Sequence, residues 1–409
     1  MSQSHSHPEA TAGHEVTVDS YQLEASRWTA GRNILMFIVL VGVIGCATGY
    51  LTDPQRFFRS YLIAFAYTSL IGLGAFFFVM VQYLTGSAWS VTTRRIMENI
   101  MSTLPFGLIL FVPVAFGLRY IYPWMDPAVV AASADLRFKA AYLSPNFFLF
   151  RNVGYFVLWS IWIFSIYRQT TKQDTERSIK QMNILSRWSA PGLFLAVLVG
   201  SLASFDWLMS VEPAWFSTMF GLVALSGGAL SFFSVVVLIC LGFRRAGVLV
   251  HSITKEHYHD LGKWLFALTA FYTYVAFSQY MLIWYSNQPA ETIWFRHRMA
   301  GTWLAVSLAM PFLRFLIPFF ALLCRPAKRS LSVIGFFAVW SLIVEYIDLY
   351  WIVMPVYYPN GPQPHWLDVA TLATTVGISG LVFWYRMKQH AIVPIGDLRL
   401  EQSLHFENA

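Results

Sequence analysis

Ten stretches of this chain are each long and apolar enough to cross a hydrocarbon layer, and no other feature restricts its folding so tightly. A membrane-spanning helix needs about 20 mainly apolar residues, and this ruler finds spans near 34–51, 60–84, 103–122, 147–167, 188–209, 215–242, 261–286, 302–324, 330–354 and 366–385. With no water in the bilayer core, every backbone N–H and C=O must pair within its own element, which leaves helices or closed barrels. Runs of this length select helices. The expected fold is an all-α integral membrane protein of about ten transmembrane helices. Charged residues make up 12% of the 409, about half of a soluble protein's share.

The net charge of +7 is no sign of nucleic acid, because the lysines and arginines sit in short runs between apolar stretches. Runs such as Arg94-Arg95, Arg244-Arg245 and Lys328-Arg329 fall on the amino-terminal side. Opposite loops hold only Arg56, Arg59, Arg137, Lys139, Arg296 and Arg298. The positive-inside rule then makes both termini cytoplasmic, as an even span count requires. Residues 1–33, polar and without the apolar core of a signal peptide, are expected to be a disordered cytoplasmic tail. Residues 34–386 form the transmembrane domain, and 387–409 a second cytoplasmic tail.

An internal echo divides the spans. Val114-Ala115-Phe116 with Arg119-Tyr120 answers Val275-Ala276-Phe277 with Gln279-Tyr280. Likewise Phe205-Asp206-Trp207 answers Ile347-Asp348-Leu349. Spans 2–5 (57–211) and 6–9 (214–355) are therefore expected to form two four-helix bundles related as a parallel repeat, flanked by helices 1 and 10.

Ionisable groups inside spans are costly and mark function first. Glu345 and Asp348, three apart on the ninth span, share a helical face, and Asp206 stands near the outer end of the fifth. Such carboxylates can relay protons or form structural ion pairs. Arg119, Arg151 and Arg296 are candidate charge partners at the outer side, with Gln279 where the repeat places Arg119. Arg314 follows Met310-Pro311 within the eighth span, where a kink could admit water and serve an inner half-channel. On the amino-terminal side, His257, His259 and Asp260 precede the seventh span, and Glu98 precedes the third. They could feed protons inward, although Asp260 also suits a helix cap.

Cofactors are expected to be absent from this chain. Cys46, Cys240 and Cys324 lie apart in apolar stretches, without the spacing that holds iron–sulfur clusters or c-type haem, and no histidine is central in a span to ligate a b-type haem. The His257/His259 pair beside Asp260 could bind a metal, but two histidines at i and i+2 without further ligands are weak evidence for one. An evident Gly/Pro-broken centre, expected at the substrate site of a secondary transporter, is also missing.

The stretch Ser204-Phe205-Asp206-Trp207-Leu208-Met209-Ser210-Val211-Glu212-Pro213-Ala214-Trp215-Phe216 and the block His259-Asp260-Leu261-Gly262-Lys263 through Gln279-Tyr280-Met281-Leu282-Ile283-Trp284-Tyr285 resemble an integral membrane subunit of alternative complex III. This bacterial quinol:electron acceptor oxidoreductase replaces the cytochrome bc1 complex in respiratory electron transport. The resemblance implies an NrfD-like fold akin to the membrane subunit of polysulfide reductase, set in the bacterial inner membrane. It implies as partners a homologous quinol-site subunit, an iron–sulfur protein and multihaem cytochrome c subunits, which carry the iron–sulfur clusters and haem c. This chain would be the cofactor-free member, surrounded by membrane lipids, supplying a proton path and part of a quinone environment. Alternatives from other classes are a stand-alone transporter and a structural anchor.

Overall fold

The structure, a computed structural model, describes residues 21–408 except residue 23. Among them every regular element is helical, and ten helices are long and apolar enough to cross a membrane. They are α1 (Ala25–Thr52), α2 (Pro54–Leu84), α3 (Val91–Phe116), α4 (Pro145–Gln173), α5 (Ile179–Val211), α6 (Phe220–Arg245), α7 (Lys255–Ser286), α8 (Trp303–Leu323), α9 (Leu331–Val356) and α10 (Trp366–Gln389). The protein is an all-α, multi-pass membrane protein.

Helices α2 and α6 form the core. Each is buried through most of its length, whereas α1 exposes most of its surface, as a helix set against lipid does. Their packing is reciprocal: α2 lies on α3, α5, α6 and α9, while α6 lies on α7, α9, α2 and α5. Exchanging α2 with α6, α3 with α7 and α5 with α9 thus reproduces the same set of neighbours. The first and last helices pair with each other, and α10 joins them to α2.

Without a hydrophobic force between helices in lipid, close backbone approach is what holds such a core together. At the α2–α6 crossing that approach depends on Gly228, where an added Cβ would lie 2.5 Å from the carbonyl oxygen of Leu70. Gly42 does the same for α1, since its Cβ would lie 2.8 Å from the backbone nitrogen of Thr374 on α10.

Three boundaries depart from the sequence expectation. First, α1 starts at Ala25, inside the stretch expected to be disordered, because Trp28 and Trp384 hold it to α10 by reciprocal bonds. Trp384 Nε1 donates to the Trp28 carbonyl at 2.8 Å, and Trp28 Nε1 to that of Trp384 at 3.2 Å. Residues 1–20 of that expected tail lie outside the described residues. Second, α3 and α7 begin well before their apolar runs. Their polar first turns are helical because they are buried in ion pairs and hydrogen bonds. Third, the carboxy-terminal segment packs back across the amino-terminal side of the bundle. Ile392 and Val393 are wholly buried there, and Asp397 pairs with Arg94 at 2.7 Å.

The α2–α6 crossing can be tested directly. Gly228→Ala is expected to cost about 1–3 kcal/mol through overpacking, read as a lowered thermal midpoint of the detergent-purified protein. Gly154→Ala on α4, whose Cβ would meet nothing within 4 Å, is expected to leave it unchanged or slightly higher. Equal midpoints for the two variants would show that the crossing is slack.

Candidate functional site: a buried charge cluster between α7, α8 and α9

Helix α8 is not uniform. After Pro311, residues Phe312–Leu316 form a π-helical turn, which changes the direction of every side chain that follows. Pro318 has no N–H to offer the carbonyl of Leu313 five residues back, and Trp340 Nε1 donates to it instead at 2.8 Å. The turn aims Arg314 at α9. Rather than standing apart as an inner half-channel group, Arg314 forms the cationic centre of the carboxylates.

Arg314 Nη2 donates to Glu345 Oε2 and lies 3.9 Å from Asp348 Oδ2. The Tyr272 hydroxyl of α7 donates to the same Asp348 oxygen at 2.5 Å, and the guanidinium lies over the Tyr272 ring, 3.8 Å from its centroid. Arg314, Glu345 and Asp348 expose 5%, 3% and 4% of their side chains. Glu345 is 14 residues from the start of α9 and 11 from its end, or about 21 Å and about 17 Å along the axis. Glycine at 227 makes room for the group: a Cβ there would fall 2.6 Å from Glu345 Oε1 and 2.9 Å from Arg314 Nη2.

The cluster sets two carboxylates against one guanidinium. Its charge can therefore change by one proton while an ion pair persists, and the tyrosine hydroxyl can follow that change by donating to whichever form Asp348 takes. Arg314 Nε and Nη1 are buried without a protein partner, as are the hydroxyls of Ser231 on α6 and Ser69 on α2. Ser231 stands one turn from Gly227, on the same face of α6.

The remaining expected site residues fall into separate groups. Asp206 is held by Arg151 through two bonds of 2.8 and 3.0 Å, and accepts from Tyr155 at 3.0 Å and Tyr142 at 3.3 Å. Arg151 is thus a charge partner of Asp206. No bond joins this pair to Glu345. Arg119 and Arg296 are exposed, and neither pairs with a central carboxylate. Among the described residues, the side chain of Arg119 bonds only the hydroxyl of its neighbour Tyr120, at 2.7 Å. Gln279 accepts from Ser217 at 2.9 Å.

On the amino-terminal side, Glu98 accepts from Tyr83 and lies 3.4 Å from Arg95, whose other arm reaches Asp174 at 2.7 Å. Burial raises the Asp174 carboxyl above its usual range against the pull of Arg95. His257 completes the capping box of α7 with Thr254, and its second nitrogen meets Ser403 Oγ at 3.4 Å. Thr254 therefore holds the cap expected of Asp260, because the helix starts at Lys255, six residues before the expected start at 261. Asp260 pairs with Lys263, and His259 lies 3.9 Å from Glu256. No set of three His, Cys, Asp or Glu groups able to hold a metal occurs among the described residues.

Two buried pairs carry no distinct sequence signal. Arg298 bonds Glu212 at 3.0 Å while His297 meets the same carboxylate at 2.6 Å. Burial lowers the Arg298 guanidinium to about 10, against the raising pull of Glu212. Arg56 of α2 bonds Asp368 of α10 at 2.6 Å, with Ser60 on the other oxygen at 2.6 Å. In sequence these residues look like ordinary loop and helix-end charges.

Removing one member of a buried ion pair strands the other. Arg314→Gln is expected to destabilise the detergent-purified protein by about 3–5 kcal/mol. The double variant Arg314→Gln/Glu345→Gln is expected to recover part of that loss. Thermal unfolding of the two variants and of Glu345→Gln closes the cycle; additive losses would mean the pair is not coupled.

No family model matches this chain, and no curated protein matches it at a significant level.

Proposed function

We propose that this chain is a cofactor-free membrane subunit of a quinol-oxidising respiratory complex of the alternative complex III kind, and that Arg314, Glu345, Asp348 and Tyr272 are its proton relay. The reading rests on one observation: two carboxylates share one guanidinium, buried near mid-span. A purely structural pair would be complete with one acid. The second acid, with its tyrosine donor, gives the site a proton to take up or release without losing the arginine's counter-ion.

Routes to either side are supported by different features. Toward the amino-terminal side, taken as cytoplasmic, Ser231 on α6 and Ser69 on α2 carry unpartnered buried hydroxyls, and α2 runs on to Tyr83 of the Glu98–Tyr83–Arg95 group. Toward the opposite side, Asp348 is one turn nearer the end of α9 than Glu345. Electron carriers would reside in partner subunits, namely the homologous NrfD-like subunit with the main quinol site, the iron–sulfur protein and the multihaem cytochromes c. The sequence stretches that resemble this family support the assignment of partners and of the bacterial inner membrane.

The test uses the complex purified with its partners. Glu345→Gln and Asp348→Asn are each expected to lower the protons moved per electron at least about twofold, with subunit content and haem spectrum unchanged. Unchanged stoichiometry in both variants would remove the cluster from the mechanism and leave an anchor.

A second reading, a stand-alone secondary transporter, is favoured by the π-turn that interrupts α8 at Arg314, a broken mid-span centre that was not evident in the sequence. Mild-detergent purification separates the two. Co-elution with haem-bearing subunits supports the first reading, and a solitary, active carrier the second.

A further inference from the structure

A cavity of about 750 Å³ lies apart from the buried cluster, none of whose residues line it. It is a groove between the end of α6 and the start of α9, lined on its apolar side by Leu238, Leu241, Leu331, Phe336 and Val339. Two glycines hollow it. A Cβ on Gly242 would meet nothing within 4 Å, and one on Gly335 would touch only the tip of Leu241.

One end of the groove is strongly cationic. Arg244 and Arg245 close α6 there, and no Asp or Glu is among the lining residues. Arg245 is exposed and forms no salt bridge among the described residues, while Arg244 reaches two carbonyls of the following loop, both at the long distance of 3.5 Å. Against these two arginines stands the first turn of α9. Its cap residue, Ser330, makes no side-chain cap bond, and the first intrahelical bond is donated only by Ile334. The N–H groups of Leu331, Ser332 and Val333 thus point out of the helix start toward the same end.

These features recognise a single chemistry. Two guanidinium groups and a helix N-terminus suit a phosphate diester, and the apolar trough that continues along both helices toward mid-membrane suits a hydrocarbon chain. The cationic end lies at the helix termini, at the level of headgroups in a bilayer spanned by α6 and α9. We propose that this groove is a binding site for an anionic glycerophospholipid of the leaflet on the amino-terminal side, with its phosphate on Arg244, Arg245 and the start of α9 and an acyl chain between Leu238 and Phe336. The site does not depend on the function proposed above.

The full chain, purified in detergent and stripped of lipid, is titrated by native mass spectrometry with phosphatidylglycerol and with phosphatidylcholine of the same acyl chains. Wild-type protein is expected to prefer phosphatidylglycerol about tenfold or more, as two cations near a membrane surface imply. Arg245→Gln is expected to lose most of that preference. Gly242→Leu, which keeps both arginines and fills open space, is expected to weaken phosphatidylglycerol binding by a similar factor. Soluble glycerol 1-phosphate is expected to compete poorly. A preference that survives both substitutions would overturn the proposal, as would equal binding of the two lipids. Competition by glycerol 1-phosphate at the concentration of the whole lipid would also overturn it, in favour of a free-anion site.

Discussion

A guanidinium enclosed midway along a membrane-length bundle has one acceptable arrangement, close contact with an anion, and the surrounding helices are arranged to supply it. Arg314 can meet Glu345 only because a π-turn redirects it, because Gly227 lets the α6 backbone come close, and because Trp340 serves the carbonyl that the turn and Pro318 leave without a donor. Each of these is a local departure from regular helix or ordinary packing. Together they make a polar site within an apolar interior.

The reciprocal packing of the two halves gives the cluster a counterpart. In the first half the cation Arg151 lies on α4 and the anion Asp206 on α5; in the second, Arg314 lies on α8 and Glu345 and Asp348 on α9. Both pairs join the third and fourth helices of their half. The difference is depth and completeness: Asp206 is a single acid bound at two points and further satisfied by two tyrosines at a helix end, whereas the second-half pair sits at mid-span with an additional acid. A fully satisfied pair resists any change in protonation, and a cluster with one acid in excess does not.

Bilayer thickness made the ten spans legible from hydropathy alone, and the i,i+3 spacing of Glu345 and Asp348 put them on one face of α9. The polar openings of α3 and α7 were not legible. A hydropathy ruler sees where apolar residues run, not where Glu98 and Arg95 are buried by pairing with each other, or His257 by its bonds to Thr254 and Ser403. The partner of Glu345 was hidden for another reason. Which way Arg314 points depends on the change of helical register at the π-turn, which no periodicity records. Arg56 with Asp368, and Arg94 with Asp397, join residues some 300 positions apart, and a single sequence gives no account of such contacts.

The closure of Arg94 by Asp397 bears on biosynthesis. A ribosome releases Arg94 into the membrane long before the carboxylate that neutralises it has been translated, since the two stand 303 positions apart. Throughout that interval the opening turn of α3 must stay hydrated or be shielded by something else. The amino-terminal half therefore cannot settle into its final packing when its own helices are complete, and the seam between Arg94 and the tail closes among the last steps of maturation.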